Sequence, residues 1–380
     1  MHLTPIQPMS PGASRAMSLR IAYDARLSLG RYRGMGRYLR QLIAGREQRL
    51  LGLCATGEAD PALRLIASGF HPYPLWEQIS IPRLVHRHQV DILLAPYNTA
   101  PLRLPRSTRL VLVVHDLIFM DPLPFSRSLY QNAGRFYRRF VVPRVVPRAE
   151  LILTVSNYTS QQLQSRFKLD PSRIRVIPVS LDEEWYAALP AYAAASPYVL
   201  AVAGEAPSKN LARALDAFAL CRRHTHDPAL RMKVAGVRPA FHPAFQALVG
   251  RLGIADVVDF LPYLPVAEMR ILYQQAQVCF MPSLSEGFGI PVLEAMASGT
   301  PVAASAVTSL PEVGGDAALY FDPTSTESMA STLKKIVSEP AIAADLSRRG
   351  RIQARRFHPD AVRELIRSFW AELDPAHELA

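Results

Sequence analysis

Apolar residues in this chain gather into short continuous runs. "LRIAYDA" (19–25), "VDILLAP" (90–96), "RLVLVVHDL" (109–117), "AELILTVS" (149–156) and "RIRVIPVS" (173–180) are rich in Val, Ile and Leu and bounded by turn residues. Runs of this kind mark strands buried on both faces, as in a parallel sheet covered by helices. Helical patterns such as "GMGRYLRQLIA" and "NYTSQQLQSRF" alternate with them. The rhythm breaks at "LDEEWYAALPAYAAASP" (181–197), which reads as a linker or exposed hinge. A second series then begins, with strands expected in "YVLAVAG", "LRMKVAG", "DVVDFLPYL", "QVCFMPS", "TPVAAS" and "AALYFDP". The pattern predicts two doubly wound α/β domains in tandem, 19–182 and 183–357. Ligands of such sheets collect beyond the carboxyl ends of the strands, so a shared site is expected in the cleft between domains. The last helical segment, within 358–380, is expected to pack back on the first domain.

Composition narrows the class. The chain has 380 residues, 49% of them hydrophobic and 20% charged, which fits two soluble globular domains. No apolar run reaches the length of about eighteen residues that a spanning helix needs. Residues 1–18 lack the apolar centre of a signal peptide and read as a disordered leader, with Met17 an alternative start. Cys54, Cys221 and Cys279 are far apart and in apolar surroundings, as expected of buried free thiols in a reducing compartment. Residues 1–180 hold 25 Lys and Arg against 10 Asp and Glu, whereas 181–380 hold 18 against 22. Basic residues thicken at "RYRGMGRYLR" (31–40) and "RFYRRFVVPRVVPR" (135–148), the latter interleaved with Phe136, Tyr137 and Phe140. Such a stretch suits anionic lipid headgroups or nucleic acid, or is simply a solvated face.

The chemistry gathers at "SLSEGFGIPVLEAMASGTPVAAS" (283–305), where Glu286 and Glu294 stand eight positions apart. Pro291 suits the first turn of a helix, and Gly299 with Pro301 suits its end. The amides of Gly287, Phe288 and Gly289 then point out of a helix amino end, an arrangement that welcomes phosphate. If all eight steps were helical, they would rise about 12 Å, and the loop between them leaves the separation itself open. A close glycosidase pair, which works across roughly 5–9.5 Å, is not the expected arrangement. Two carboxylates at that reach can instead hold hydroxyls at two ends of an elongated ligand, with its diphosphate between them. A sugar nucleotide has this layout.

This stretch, continued by "SLPEVGGDAALYFDP", resembles the signature of the retaining nucleotide-sugar glycosyltransferases of family four, which have the two-domain GT-B fold. "VVHDLIF", "ILTVSNYTSQQL", "RIRVIPVSLD", "AGEAPSKNLARALDAF" and "LYQQAQVCFMPS" extend the resemblance over about 20–357. It implies an acceptor-binding first domain and a nucleotide-sugar-binding second domain. It implies that Glu286 meets hydroxyls of the donor sugar and Glu294 the ribose, with the Gly287–Gly289 backbone, and Gly204 in "AGEAPSKN", beside the donor. Lys209 matches the lysine that balances the leaving diphosphate, but Ser208 stands where relatives often carry arginine, which puts a second basic contact in doubt. His115 matches a histidine facing the donor sugar, and Asp116 either orients its imidazole or caps the loop. Gly34 and Gly36 match the glycine-bearing loop of the first domain, beside diphosphate or acceptor. Ser156 fits either a loop near the acceptor or a helix cap.

No metal-ligand spacing appears, so transfer is expected to need neither metal nor other cofactor. The resemblance implies retention, by front-face displacement. "RGMGRYLRQL" is similar to bacterial mannosyl- and rhamnosyltransferases of cell-surface polysaccharides, hence GDP-mannose as donor, with dTDP-rhamnose, UDP-glucose and UDP-GlcNAc as alternatives. The expected acceptor is a saccharide or a polyprenyl-diphosphate-linked one. It would be met in the cytoplasm or at the inner face of the membrane, with peripheral contact to anionic lipid. An epimerase or a non-catalytic sugar-nucleotide binder stays open. Nucleic acid is not an expected partner, since that reading leaves the glutamate motif unexplained.

Overall fold

The computed structural model describes residues 19–30, 34–55, 60–68, 72–126, 128–187 and 197–375. The leader 1–18, Arg31, Arg33 and most of the connection 181–197 therefore lie outside the described residues. In the first half, β1 (Ile21–Asp24), β2 (Leu51–Cys54), β3 (Leu65–Ala67), β4 (Ile92–Ala95), β5 (Arg109–Val114), β6 (Leu151–Thr154) and β7 (Ile174–Val176) form a parallel sheet. Its order is β3-β2-β1-β4-β5-β6-β7. Helices α1 (Gly34–Ile43), α2 (Tyr73–Leu75), α3 (Ile81–Arg87), α4 (Leu129–Val145) and α5 (Asn157–Phe167) connect the strands.

The second half repeats the scheme with β8 (Tyr198–Val202), β9 (Arg231–Ala235), β10 (Val258–Leu261), β11 (Val278–Met281), β12 (Val302–Ser305) and β13 (Ala318–Phe321), in the order β10-β9-β8-β11-β12-β13. All pairs are again parallel. The connecting helices are α6 (Leu211–Thr225), α7 (His242–Arg251), α8 (Val266–Gln275), α9 (Ile290–Ser298), α10 (Leu310–Gly314) and α11 (Thr326–Ser338), followed by α12 (Pro340–Ala354) and α13 (Pro359–Leu373). These are two doubly wound α/β domains in tandem.

Period-two geometry explains why the strands read as unbroken apolar runs. Along β5, Val111 and Val113 enter one core cluster while Leu110, Leu112 and Val114 enter another on the opposite face. Along β8, Leu200 and Val199 divide in the same way. One cluster is continuous through both halves, joining Tyr38 and Leu42 of α1 to Phe288 and Leu293 and to Phe369 and Trp370 of α13. The Trp370 indole donates to the Leu42 carbonyl at 2.7 Å, and Arg175 of β7 pairs with Glu372.

Two strands come without an expectation, and one expectation changes. β2 and β3 were not legible, because strands of four and three residues carry too little pattern. The stretch from 181 is not an exposed hinge at its start. Trp185, in a short turn over Glu183–Tyr186, is buried and meets the Tyr273 ring edge-on. An indole removes too much apolar surface from water to stay in a solvated linker when a pocket is adjacent.

In both sheets the chain reverses direction beside its first strand, between β1 and β4 and between β8 and β11. Loops leaving these strands diverge there and open a crevice at their carboxyl ends.

Candidate active site

The loop after β11 leads into α9 as its sequence requires. Gly289 occupies the cap position with φ +110°, closed to most side chains, and Pro291 stands in the first turn. Gly299 ends the helix at φ +78°. The amides of Gly287, Phe288 and Gly289 find no acceptor among the described residues. Phe288 supplies only backbone to this cradle, because its ring is buried against Phe357. Ser309 fixes the loop from below, donating to the carbonyls of Glu286 and Phe288.

Glu286 is nearly buried, and its Oε1 accepts from Lys209 Nζ and from Ser283 Oγ, both at 2.6 Å. Its amide donates to Thr308 Oγ1. Lys209 follows β8 in a short turn, and Asn210, at φ +56°, ties that turn to the carbonyls of Pro282 and Pro323. The Ser208 carbonyl accepts from the Leu284 amide at 2.7 Å, so this residue braces the motif loop through its backbone. Gly204 lies at the same mouth, where a β-carbon would touch the Gly236 carbonyl.

Glu294 projects from α9 toward the first domain. Tyr273 donates to its Oε2 at 2.9 Å, and Arg37 of α1 reaches its Oε1 at 3.6 Å. Burial raises this carboxyl to about 7, against the opposing pull of Arg37 and Tyr273. Arg37 also lies 3.9 Å from Asp182.

The first domain closes the other wall. His115 leaves the end of β5, its ring against Tyr38 and its imidazole Nε2 2.8 Å from the Pro96 carbonyl. Its amide donates to Asn98 Oδ1 at 2.6 Å. Burial lowers its pKa to about 4, so the ring is neutral, and proton donation from Nε2 to Pro96 leaves Nδ1 as an acceptor. Asp116 does not orient this ring; it accepts from the Ile118 amide and shapes the loop, its own carboxyl raised by burial. Ser156 caps α5 by accepting from the Thr159 amide and also donates to the Gly287 carbonyl at 2.7 Å. Gly34 opens α1 opposite Ile290, the first residue of α9, and Gly36 is buried one step further. The amino ends of two helices thus face each other across the cleft.

Several participants escaped the sequence reading. Glu312 crosses the cleft to accept from the Asn157 and Tyr158 amides at the start of α5, and Ser285 donates to Asp121. Arg37 was seen only as part of a basic run. Glu77, buried in a π-type turn over Trp76–Ser80, accepts from Tyr73, Thr99, Tyr137 and Gln78. Thr99 adjoins Asn98, so Glu77 steadies the strand end that holds His115. A π-turn is the only clue that could have exposed it, and periodicity does not reveal one. Among the described residues no group of three metal-ligating side chains assembles, and no helix is long and apolar enough to cross a membrane.

Residues 33–185 match the model of Glycosyltransferase Family 4, and residues 192–353 match that of Glycosyl transferases group 1. The chain is 28% identical over 303 residues to the O-antigen chain mannosyltransferase RfbU of Salmonella typhimurium, covering 80% of this chain and 79% of that one. It is 31% identical over 268 residues to O-antigen chain mannosyltransferase B of Escherichia coli, covering 66% and 67%. Sucrose-phosphate synthase of Thermosynechococcus elongatus superimposes with a TM-score of 0.73 at 19% identity, over 93% of this chain and 99% of that one. Anabaena HepE in complex with UDP-glucose superimposes with 0.72 at 17%, over 93% and 100%.

Proposed function

From the premise that the chain belongs to glycosyltransferase family 4, we propose that it moves mannose from GDP-mannose to a saccharide or polyprenyl-diphosphate-linked acceptor in cell-surface polysaccharide assembly. That the chain is a hexosyltransferase follows from the family itself. The mannosyl donor rests on its likeness to the O-antigen mannosyltransferases. The observation that carries the site assignment is the meeting of Lys209 and Glu286 at the switch point of the second sheet, beneath three amides without acceptors.

In this reading the donor diphosphate lies on the Gly287–Gly289 amides and takes the Lys209 ammonium from Glu286. The freed carboxylate turns to sugar hydroxyls, Glu294 takes the ribose diol, and His115 Nδ1 accepts from a hydroxyl of the hexose. The bond from the anomeric carbon to the diphosphate oxygen breaks as the bond to the acceptor oxygen forms on the same face. The acceptor proton passes to the departing phosphate oxygen, so no enzymic nucleophile is required and configuration is retained. Lysine and helix amino end meet the charge that develops, without a metal ion.

The first domain would meet the acceptor at a membrane. Leu129 and Tyr130 are 86% and 84% exposed at the start of α4, with Phe125, Phe136 and Phe140 also exposed. Arg139 and Arg144 stand among them, which suits an anionic interface. The test is transfer with GDP-mannose, dTDP-rhamnose, UDP-glucose and UDP-GlcNAc, with and without chelator, and proton NMR of the product anomer. Turnover of another donor, an inverted product, or activity abolished by chelator would each overturn the corresponding part.

A further inference from the structure

Behind the donor-holding helices the second domain contains a different kind of cavity. It measures about 310 Å³, and its wall includes Arg270 of α8, Ser298 at the end of α9, Arg351 of α12 and Arg355 just beyond it, with Trp185 at one side. No carboxylate lines it. The three guanidiniums pair with no Asp or Glu among the described residues, in contrast to Arg40, Arg363 and Arg367 around the larger cavity beside α13, each of which has a carboxylate partner. Arg270 is buried and donates to the Ala187 carbonyl through one terminal nitrogen, and its Nε has no partner. Trp185 Nε1 and Ser298 Oγ in the same wall are also without partners.

Three cations in one concavity repel each other, and buried donors without acceptors cost stability. Leaving α9's last carbonyls nearby offsets part of this repulsion but offers no counter-ion. Arg351 and Arg355 are exposed at the mouth and Arg270 is buried behind them; a group carrying several acceptor oxygens and negative charge answers the charge deficit, and guanidinium forks match phosphate in shape.

We propose that this cavity is a second anion site, separate from the donor cleft, that binds a small soluble phosphate-bearing ligand. The volume of about 310 Å³ holds a diphosphate or a sugar phosphate. The site contacts α8 and α9, the helices bearing Tyr273 and Glu294, so its occupancy is set to reach the donor side through two rigid elements.

The probes are inorganic phosphate, inorganic diphosphate and a hexose phosphate, titrated into the full chain by calorimetry and by thermal shift. Because diphosphate would also enter the donor cleft, the titration is repeated in Lys209→Ala, and in Lys209→Ala carrying Arg351→Gln/Arg355→Gln as the double arginine variant. The expected result is binding that persists in Lys209→Ala and weakens at least tenfold in the double arginine variant. The ligand-induced shift in Tm is read rather than Tm itself, so a loss of intrinsic stability does not mimic a loss of binding. If the double arginine variant titrates like Lys209→Ala, or if Lys209→Ala abolishes all binding, the site does not exist. Flotation on vesicles of phosphatidic acid separates the two sources of phosphate. Flotation that depends on Arg351 and Arg355, with no response to the soluble probes, would assign the cavity to a headgroup and overturn the soluble ligand.

Discussion

Lys209 and Glu286 form an ion pair 2.6 Å long between loops that leave two neighbouring strands of the second sheet. Neither residue lies on an α-helix or strand, and their loops are held by side-chain hydrogen bonds, from Asn210 to the Pro282 carbonyl and from Ser309 to the Glu286 carbonyl. If the pair opens to admit donor phosphate, removing either partner acts on chemistry more than on folding. Lys209→Ala is expected to lower kcat by about 10²- to 10³-fold, the usual cost of one preorganised charge at a leaving group. Glu286→Gln should lower kcat with a smaller change in donor KM. Steady-state kinetics at saturating acceptor measures both, and a pure KM effect in both variants would remove the pair from the reaction.

Burial holds the Glu294 carboxyl up at about 7 in the folded chain, so its ionised share falls as pH drops from 8 to 6. Its carboxylate accepts hydrogen bonds from a diol better than its neutral form does. Donor KM is therefore expected to rise as pH falls from 8 to 6, and Glu294→Gln should flatten that profile while raising KM by about tenfold or more, the worth of a charge-assisted bond. A parent profile flat through this range would contradict the assignment.

His115 gives a sign for stability. Its folded pKa of about 4 lies below the ordinary 6.5, so the folded chain binds fewer protons between those values. The contribution is complete above pH 6.5 and is lost as pH falls toward 4. The predicted slope is about 1.4 kcal/mol per pH unit within the window. Denaturant midpoints of the parent and His115→Gln, compared at pH 4.5, 5.5 and 7, test it, since the variant should lack this part of the acid sensitivity.

Gly287 packs so closely on the first domain that a β-carbon would run into the His115 carbonyl. Gly287→Ala is expected to force the cleft apart. Transfer should be nearly abolished while nucleotide diphosphate still binds the second domain, as seen by calorimetry. Small-angle scattering should show a larger radius of gyration, and an unchanged radius with full activity would refute the close fit.

Glu312 caps α5 from the opposite domain. Losing a cap costs about 1 kcal/mol. In Glu312→Ala this cost falls on closure, so kcat/KM should drop roughly fivefold with little change in Tm. A fall in Tm without a kinetic effect would make the contact purely structural.

The parts of this site that the sequence disclosed are those fixed by backbone rules. Gly289, Pro291 and Gly299 delimit α9 because few other residues tolerate those positions. The strands β5 and β11 were legible because both faces of each are covered. What stayed hidden depends on where two separately folded sheets meet. Nothing in the spacing of Arg37, Glu312 or Asp121 tells which surface across the cleft they touch. Glu77 stayed hidden for a related reason, since its four donors come from segments spread over more than sixty positions. Trp185 shows the converse error, in which a stretch rich in alanine and proline concealed a core residue.

The return of α13 to the first domain bears on how this enzyme can be taken apart. Trp370 and Glu372 complete a surface begun more than three hundred residues earlier. A fragment stopping near 187 would expose the bed on which that helix lies. A first-domain module made for domain exchange among relatives must therefore carry its own copy of the tail, joined by a permuted linkage or supplied as a separate peptide.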